Sequence, residues 1–283
     1  VEEKSLIISV ASGKGGTGKT SVAVNMALSV GNIQLLDCDV EEPNVHLLLH
    51  PEITRKEPVY TQIPKVNQQL CNGCGECAKT CQFHALFVAA KNVMIFPELC
   101  HSCGGCALVC PQKAITWEKH EIGTLNFGKT DSLDLVYGEL TVSKPLAIPV
   151  IKAVKNQLTP YGDVIVDSPP GTSCPFVETV RGSDFCILVT EPTPFGLHDL
   201  SIAVEVLWRL SVPFGVVVNR AGLGDRKLYK YCQDENIQIL LEIPYDRRIA
   251  ELYSRGTAFV LEMPQWKEKF QTLYQNIMET VKR

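Results

Sequence analysis

Eight cysteines packed between positions 71 and 110 constrain this chain more than any other feature. They form two runs, Cys71-x2-Cys74-x2-Cys77-x3-Cys81 and Cys100-x2-Cys103-x2-Cys106-x3-Cys110-Pro111. Each cysteine of the second run lies 29 residues after its counterpart in the first. Leu70-Cys71 pairs in the same way with Leu99-Cys100, and Ala85-Leu86 with Ala114-Ile115, so the segment is a tandem duplication. The other four cysteines (Cys38, Cys174, Cys186 and Cys232) are scattered. A chain of 283 residues with 45% hydrophobic residues has a core of its own and does not need disulfide staples. Clustered cysteines in such a chain point to metal in a reducing compartment.

The spacing matches that of bacterial two-cluster ferredoxins, in which the fourth cysteine of each run serves the other cluster. The expected ligand sets for two [4Fe–4S] clusters are therefore Cys71, Cys74, Cys77 and Cys110, and Cys81, Cys100, Cys103 and Cys106. Gln82 stands where the first run should carry proline, a departure from that pattern. A zinc site is the competing use of four thiolates. His101, inside the second run, is expected to be a surface residue and not a ligand.

Around this segment the chain alternates short apolar strands with helices. Leu6–Val10, Ile33–Leu36, Asp163–Asp167, Cys186–Val189, Gly215–Val218 and Ile239–Leu240 read as strands. Val22–Val30, Leu197–Leu210 and Arg226–Asn236 read as helices. The alternation predicts an α/β doubly wound, mainly parallel sheet. The expected organisation is one α/β domain formed by residues 1–62 and 119–283, interrupted by an α+β ferredoxin-like domain at 63–118.

A phosphate-binding loop follows the first strand. Gly13, Lys14, Gly15, Gly16, Thr17, Gly18, Lys19 and Thr20 fit G-x-x-x-x-G-K-[ST], with Ser21 continuing into the helix. Its glycines let backbone N–H groups converge on phosphate oxygens; Lys19 reaches the β- and γ-phosphates and Thr20 the Mg²⁺. Asp37 and Asp39 end the second strand, and Asp167 ends another before Pro169-Pro170-Gly171. Asp37 is equally readable as a helix cap.

Lys14 ahead of the glycine pair, Asp37-x-Asp39 and the Asp167 turn resemble the deviant Walker A ATPases. That group includes MinD, ParA, the Mrp-type cluster carriers and the nitrogenase iron protein. The resemblance covers residues 4–62 and about 119–283. It implies an ATP-sandwich homodimer, or a heterodimer with a close paralogue, in which Lys14 reaches the opposite subunit's nucleotide. It further implies that Asp39 orients the attacking water and that Asp167 holds Mg²⁺, with Thr20 and Asp39 also near the ion. Asn219, Arg220, Pro244 and Tyr245 match the adenine-side positions.

The expected activity is Mg-ATP hydrolysis coupled to electron transfer. Assembly or delivery of iron–sulfur or mixed-metal clusters is the alternative, and a MinD-like positioning role comes third. The partner is then a redox or cluster-acceptor protein. Net charge −4 argues against nucleic acid held by bulk charge. No apolar run approaches the roughly 20 residues of a membrane span. Val1-Glu2-Glu3-Lys4 opens without a signal-peptide pattern, so the expected location is cytoplasmic. The stripe Trp266, Phe270, Leu273, Ile277 and Val281 is expected to pack inward and not on lipid. Cys174 is either a small turn residue or half of a cross-subunit metal site, and Asp199 is expected to cap or hinge a helix.

Overall fold

The computed structural model describes residues 5–282. The opening residues Val1–Lys4, on which the reading of the N-terminus rests, lie outside the described residues. In chain order the first elements are β1 (Ile7–Ala11), α1 (Lys19–Val30), β2 (Ile33–Asp37), α2 (Val45–Leu49) and β3 (Glu52–Val66). The cysteine segment adds α3 (Glu76–Thr80), β4 (Leu86–Ala89), β5 (Asn92–Ile95) and α4 (Gly105–Leu108). Then come β6 (Ile115–Lys129), β7 (Leu133–Leu140), α5 (Ala147–Lys155), β8 (Val164–Asp167), α6 (Cys174–Val180), β9 (Phe185–Thr190) and α7 (Pro194–Leu210). The chain closes with β10 (Phe214–Ala221), α8 (Lys227–Asp234), β11 (Ile239–Pro244), α9 (Arg247–Ser254), α10 (Phe259–Glu262) and α11 (Gln265–Val281).

One nine-stranded sheet runs β11-β10-β9-β1-β8-β2-β7-β6-β3. The first seven strands in that order are parallel, and β6 and β3 are antiparallel additions at one edge. The central strands are apolar on both faces because helices cover both. Val22, Met26, Phe270 and Ile277 fill one side, and Phe176, Leu200, Val204 and Leu207 the other. The α11 stripe lies inside the first of these cores, with Trp266, Phe270, Leu273 and Ile277 buried against α1 and its neighbours. Among the described residues, no helix is long and apolar enough to cross a membrane.

Lys155 ties α5 to α6. Its Nζ donates to the carbonyls of Glu178, Thr179 and Arg181, at 2.6, 2.9 and 2.7 Å, and so completes the C-terminal turn of α6. Hydrogen bonds to a charged group contribute about 1.5–3 kcal/mol. Lys155→Met keeps the aliphatic stem and removes the donors; it should lower unfolding stability by about 2 kcal/mol in a urea titration.

Strands β3 and β6 are the chief departure from the expected pattern. They pair along their whole lengths, from Glu52↔Lys129 to Val66↔Ile115. The expected boundaries at 62/63 and 118/119 fall inside these unbroken strands. Pro58 and Pro64 are tolerated in β3 because it is the sheet's edge, where a missing N–H costs no ladder bond.

Beyond this ribbon the duplication becomes a two-fold pseudosymmetry. The pair Val66↔Ile115 at the ribbon tip corresponds, 29 residues on and back, to Ile95↔Leu86 between β5 and β4. Asn67 N donates to Ala114 O at 2.7 Å, and Phe96 N donates to Ala85 O at 2.9 Å. Helix α3 begins at Glu76 and α4 at Gly105, again 29 apart. Each two-stranded ribbon thus takes one strand from each repeat, so neither repeat closes a core by itself. The shared core contains Ile63, Cys77, Ala85, Leu86 and Cys100.

Candidate functional site

The phosphate loop sits between β1 and α1, at the carboxyl edge of the central strand. Gly16 and Gly18 take φ of +76° and +91°, a left-handed backbone that opens the loop, and Gly18 leads directly into α1. Gly13 is required for another reason. A Cβ there would meet the Asp199 carbonyl oxygen at 2.2 Å, so α7 packs directly on the loop. Asp199 is therefore inside α7, pressed against Gly13, and does not cap a helix. Thr193 is the cap, accepting from Gly196 N at 3.0 Å.

Lys19 is buried among three carboxylates. Its Nζ lies 2.9 Å from Asp39 Oδ2 and 3.9 Å from Asp167 Oδ1; burial lowers its pKa, but the carboxylates outweigh that and leave it raised to about 12. Thr20 Oγ1 lies 3.5 Å from the same nitrogen. Asp37 accepts from the backbone of Asp39 at 3.0 Å and of Asn44 and Val45 at 3.1 Å. Its carboxylate takes the free N–H groups at the start of α2, whose N-cap position is Asn44, and it fixes the turn presenting Asp39.

Asp167 is the exception in a well-bonded site. It is fully buried, and neither carboxylate oxygen has a hydrogen-bond partner. Burial raises its pKa to about 6, with Lys19 opposing the shift. Thr17 Oγ1 is likewise buried and unpartnered. Orphaned buried oxygens beside a phosphate loop suit a divalent cation, so Asp167 fits the Mg²⁺ role, with the Thr20 hydroxyl at the start of α1 beside the same lysine.

Lys14 is held within its own chain. Its Nζ donates to Glu191 Oε1, and Arg220 Nη1 lies 2.8 Å from Glu191 Oε2. Glu191, following β9, was not among the sequence candidates. Its signal was a carboxylate at the end of the strand beside β1, ahead of Pro192-Thr193-Pro194. Arg220, with φ of +53°, is thus committed to an ion pair. Asn219 braces the phosphate loop, its Nδ2 donating to Thr17 O at 2.8 Å. Asn219, Arg220, Pro244 and Tyr245 nevertheless line one cleft with Gly16, Gly18 and Ser21, and Tyr253, a further aromatic, joins them there.

Cys71, Cys74, Cys77 and Cys110 line one cavity, closed by Val66, Val88 and Val93. Burial pushes the Cys77 thiol up, and Cys110 and Cys71 beside it add to the shift. Burial does the same at Cys100, with Cys103 and Cys81 as the neighbouring thiols. The fourth cysteine of each run accepts a backbone N–H at sulfur, Ala85 N to Cys81 and Ala114 N to Cys110, both at 3.3 Å. Among the described residues, no three His, Cys, Asp or Glu side chains form a group suited to a single metal ion. His101 stacks on Phe83 with ring centroids 3.5 Å apart. Cys174 is exposed at the start of α6.

With this geometry in view, the comparisons with known proteins are specific about the fold. The profile of the CobQ/CobB/MinD/ParA nucleotide binding domain matches residues 8–259. An uncharacterised protein of Methanocaldococcus jannaschii is 32% identical, with 97% of each chain covered. A Pyrococcus horikoshii protein named as an iron–sulfur cluster carrier is 26% identical over 90% of this chain and 79% of its own. The septum site-determining protein MinD of Pyrococcus horikoshii, solved with Mg-ADP, superposes with a TM-score of 0.58 at 20% identity, covering 96% of both chains. The chain belongs to the CobQ/CobB/MinD/ParA family of P-loop nucleotide-binding proteins.

Proposed function

We propose that this chain hydrolyses Mg-ATP as a dimer and uses the nucleotide cycle to gate electron transfer through two [4Fe–4S] clusters. The observation that carries this reading is the crossed cysteine set. Three cysteines of the first run and the fourth of the second line one cavity, as a two-cluster protein requires and a pair of independent loops does not. Two clusters held in one fold, about 55 residues long by the sequence boundaries, form a short path for electrons.

At the nucleotide site the loop N–H groups and Lys19 bind the phosphates and neutralise their charge. Thr20 and Asp167 would hold Mg²⁺, which supplies Lewis-acid stabilisation of the transferring phosphoryl group. Asp39, freed when Lys19 turns to phosphate, is placed to orient water. Lys14 leaves Glu191 to act across the dimer.

Cluster delivery is the second reading, favoured by the name of the 26%-identical Pyrococcus relative. Redox-monitored EPR on anaerobically purified protein, with and without MgATP, separates the two. Two [4Fe–4S] signals whose potentials move with nucleotide are expected for gated transfer. Unchanged potentials with iron passing to an apo-acceptor on hydrolysis would establish delivery instead. Stoichiometric zinc without iron would overturn both.

A further inference from the structure

The two cysteine loops are related by pseudosymmetry, yet they meet different neighbours. In the first loop Gly73 takes φ of +75° and lies against the turn between β4 and β5, where a Cβ would meet Ala90 O at 2.3 Å. Its counterpart 29 residues on is Ser102, which takes φ of +54° without being glycine. An L-residue other than glycine pays roughly 1–2 kcal/mol for that conformation. The serine hydroxyl has a partner that glycine could not supply: Thr61 Oγ1, 2.6 Å away and itself buried in β3. The first loop therefore packs within the cysteine segment, and the second is bonded to a strand of the central sheet.

Thr61 continues a connected route to the nucleotide site. It pairs with His120 on β6, and past the next pair, Tyr60↔Glu121, a bulge leaves Ile122 out of the β3 ladder. The Ile122 carbonyl instead accepts from Thr141 N at 2.9 Å. The adjoining Leu140 N donates to Val40 O at 2.7 Å, and Val40 follows Asp39 directly. Val40 is buried with Val59 and Ile122 in one apolar cluster, so the segment cannot shift without disturbing the ribbon. Lys19 is the group with two partners to choose between, the Asp39 carboxylate and a bound phosphate. Asp39 pairs with Lys19 at 2.9 Å in this structure, and would lose that pair when Lys19 turns to phosphate.

We propose that Ser102 is a positioning residue whose bond to Thr61 carries the nucleotide state to the Cys100–Cys106 loop, leaving the Cys71–Cys77 loop unaffected. This rests on the cluster assignment above. The cluster held by Cys81, Cys100, Cys103 and Cys106 is thereby the nucleotide-responsive one, and that held by Cys71, Cys74, Cys77 and Cys110 is the constant one. Coupling along such a route requires a two-state element, here the Lys19–Asp39 pair, and not proximity alone.

Three variants test it in the iron-loaded chain. Ser102→Gly installs the residue used at position 73 and removes backbone strain, so the fold is retained. Thr61→Val removes the hydroxyl at nearly constant shape, and Thr61→Ser keeps it. Hydrogen exchange of the 98–106 and 69–77 peptides, and EPR-monitored potentials, are measured with MgADP and with a non-hydrolysable MgATP analogue. In the wild type and Thr61→Ser, exchange at 98–106 and one of the two potentials should differ between nucleotides. Ser102→Gly and Thr61→Val should lose both differences, with 69–77 unresponsive throughout. Retention of the response in Ser102→Gly, or an equal response of both loops, would overturn the proposal while leaving the cluster assignment standing. Iron-loaded wild type that responds at neither loop also overturns it. Absence of bound iron in the wild type overturns the underlying assignment itself.

Discussion

Cys110→Ala should lose about half of the bound iron, and the iron it loses should belong to the first cysteine run. The crossed geometry places Cys110 with Cys71, Cys74 and Cys77, and each [4Fe–4S] cluster takes four thiolates. Double variants make the assignment unambiguous. Cys71→Ala with Cys110→Ala should retain as much iron as either single variant, because both remove ligands from one cluster. Cys100→Ala with Cys110→Ala should lose nearly all of it, because each cluster is then short of a ligand. Sequential ligation, with each run serving its own cluster, reverses the two results. Iron quantification and EPR spin counting on anaerobically prepared protein decide between them. On the proposed ligation, metal binding is also folding energy, since the cysteine segment has only a small apolar core of its own, around Ile63, Ala85 and Leu86. Half-loaded variants should therefore show earlier proteolysis within 63–118, with the central sheet intact.

The parts of the fold that were legible in the sequence are those whose signal is local. The β1–loop–α1 unit, the run Asp163–Asp167 and the 29-residue repeat each announce themselves through apolar runs, glycines or cysteine spacing. Strands β3 and β6 do not. Glu52-Ile53-Thr54-Arg55-Lys56-Glu57 is almost wholly polar and exposed, and Pro58 and Pro64 mark it against a strand, because their acceptability depends on its being an edge. The site divides in the same way. Lys19, Asp39 and Asp167 follow from the motif and from strand ends. Glu191 does not, since its partnership with Lys14 spans 177 residues and exists only once β9 and β1 lie side by side. The dual reading of Asp37 is resolved by three backbone donors that only the folded turn brings to it.

Asp167→Asn should abolish Mg-dependent hydrolysis and, at the same time, raise the stability of the nucleotide-free chain at neutral pH. The first effect follows from losing an anionic oxygen beside the metal position; comparable removal of one transition-state-stabilising group costs on the order of 10²–10³-fold in kcat. The second follows from the cost of the empty site. In the folded chain Asp167 has a pKa raised to about 6 from 3.8, because burial strips its carboxylate of water, with Lys19 and the Thr20 hydroxyl opposing the shift. A carboxyl with a raised folded pKa favours folding when protonated. Its penalty is absent below the unfolded value, grows as pH rises between 3.8 and about 6, and is full above that. Part of the gain from removing it returns as a cost when Lys19 loses a neighbouring charge. The variant should therefore melt at higher temperature than wild type at pH 7.5, with the gap closing toward pH 4. Added MgATP should reverse the order, stabilising wild type by mass action and leaving the variant nearly unmoved. A variant that melts lower than wild type at pH 7.5 would show that Asp167 contributes to the resting fold through the Lys19 pair and is not held unpaired for a cation.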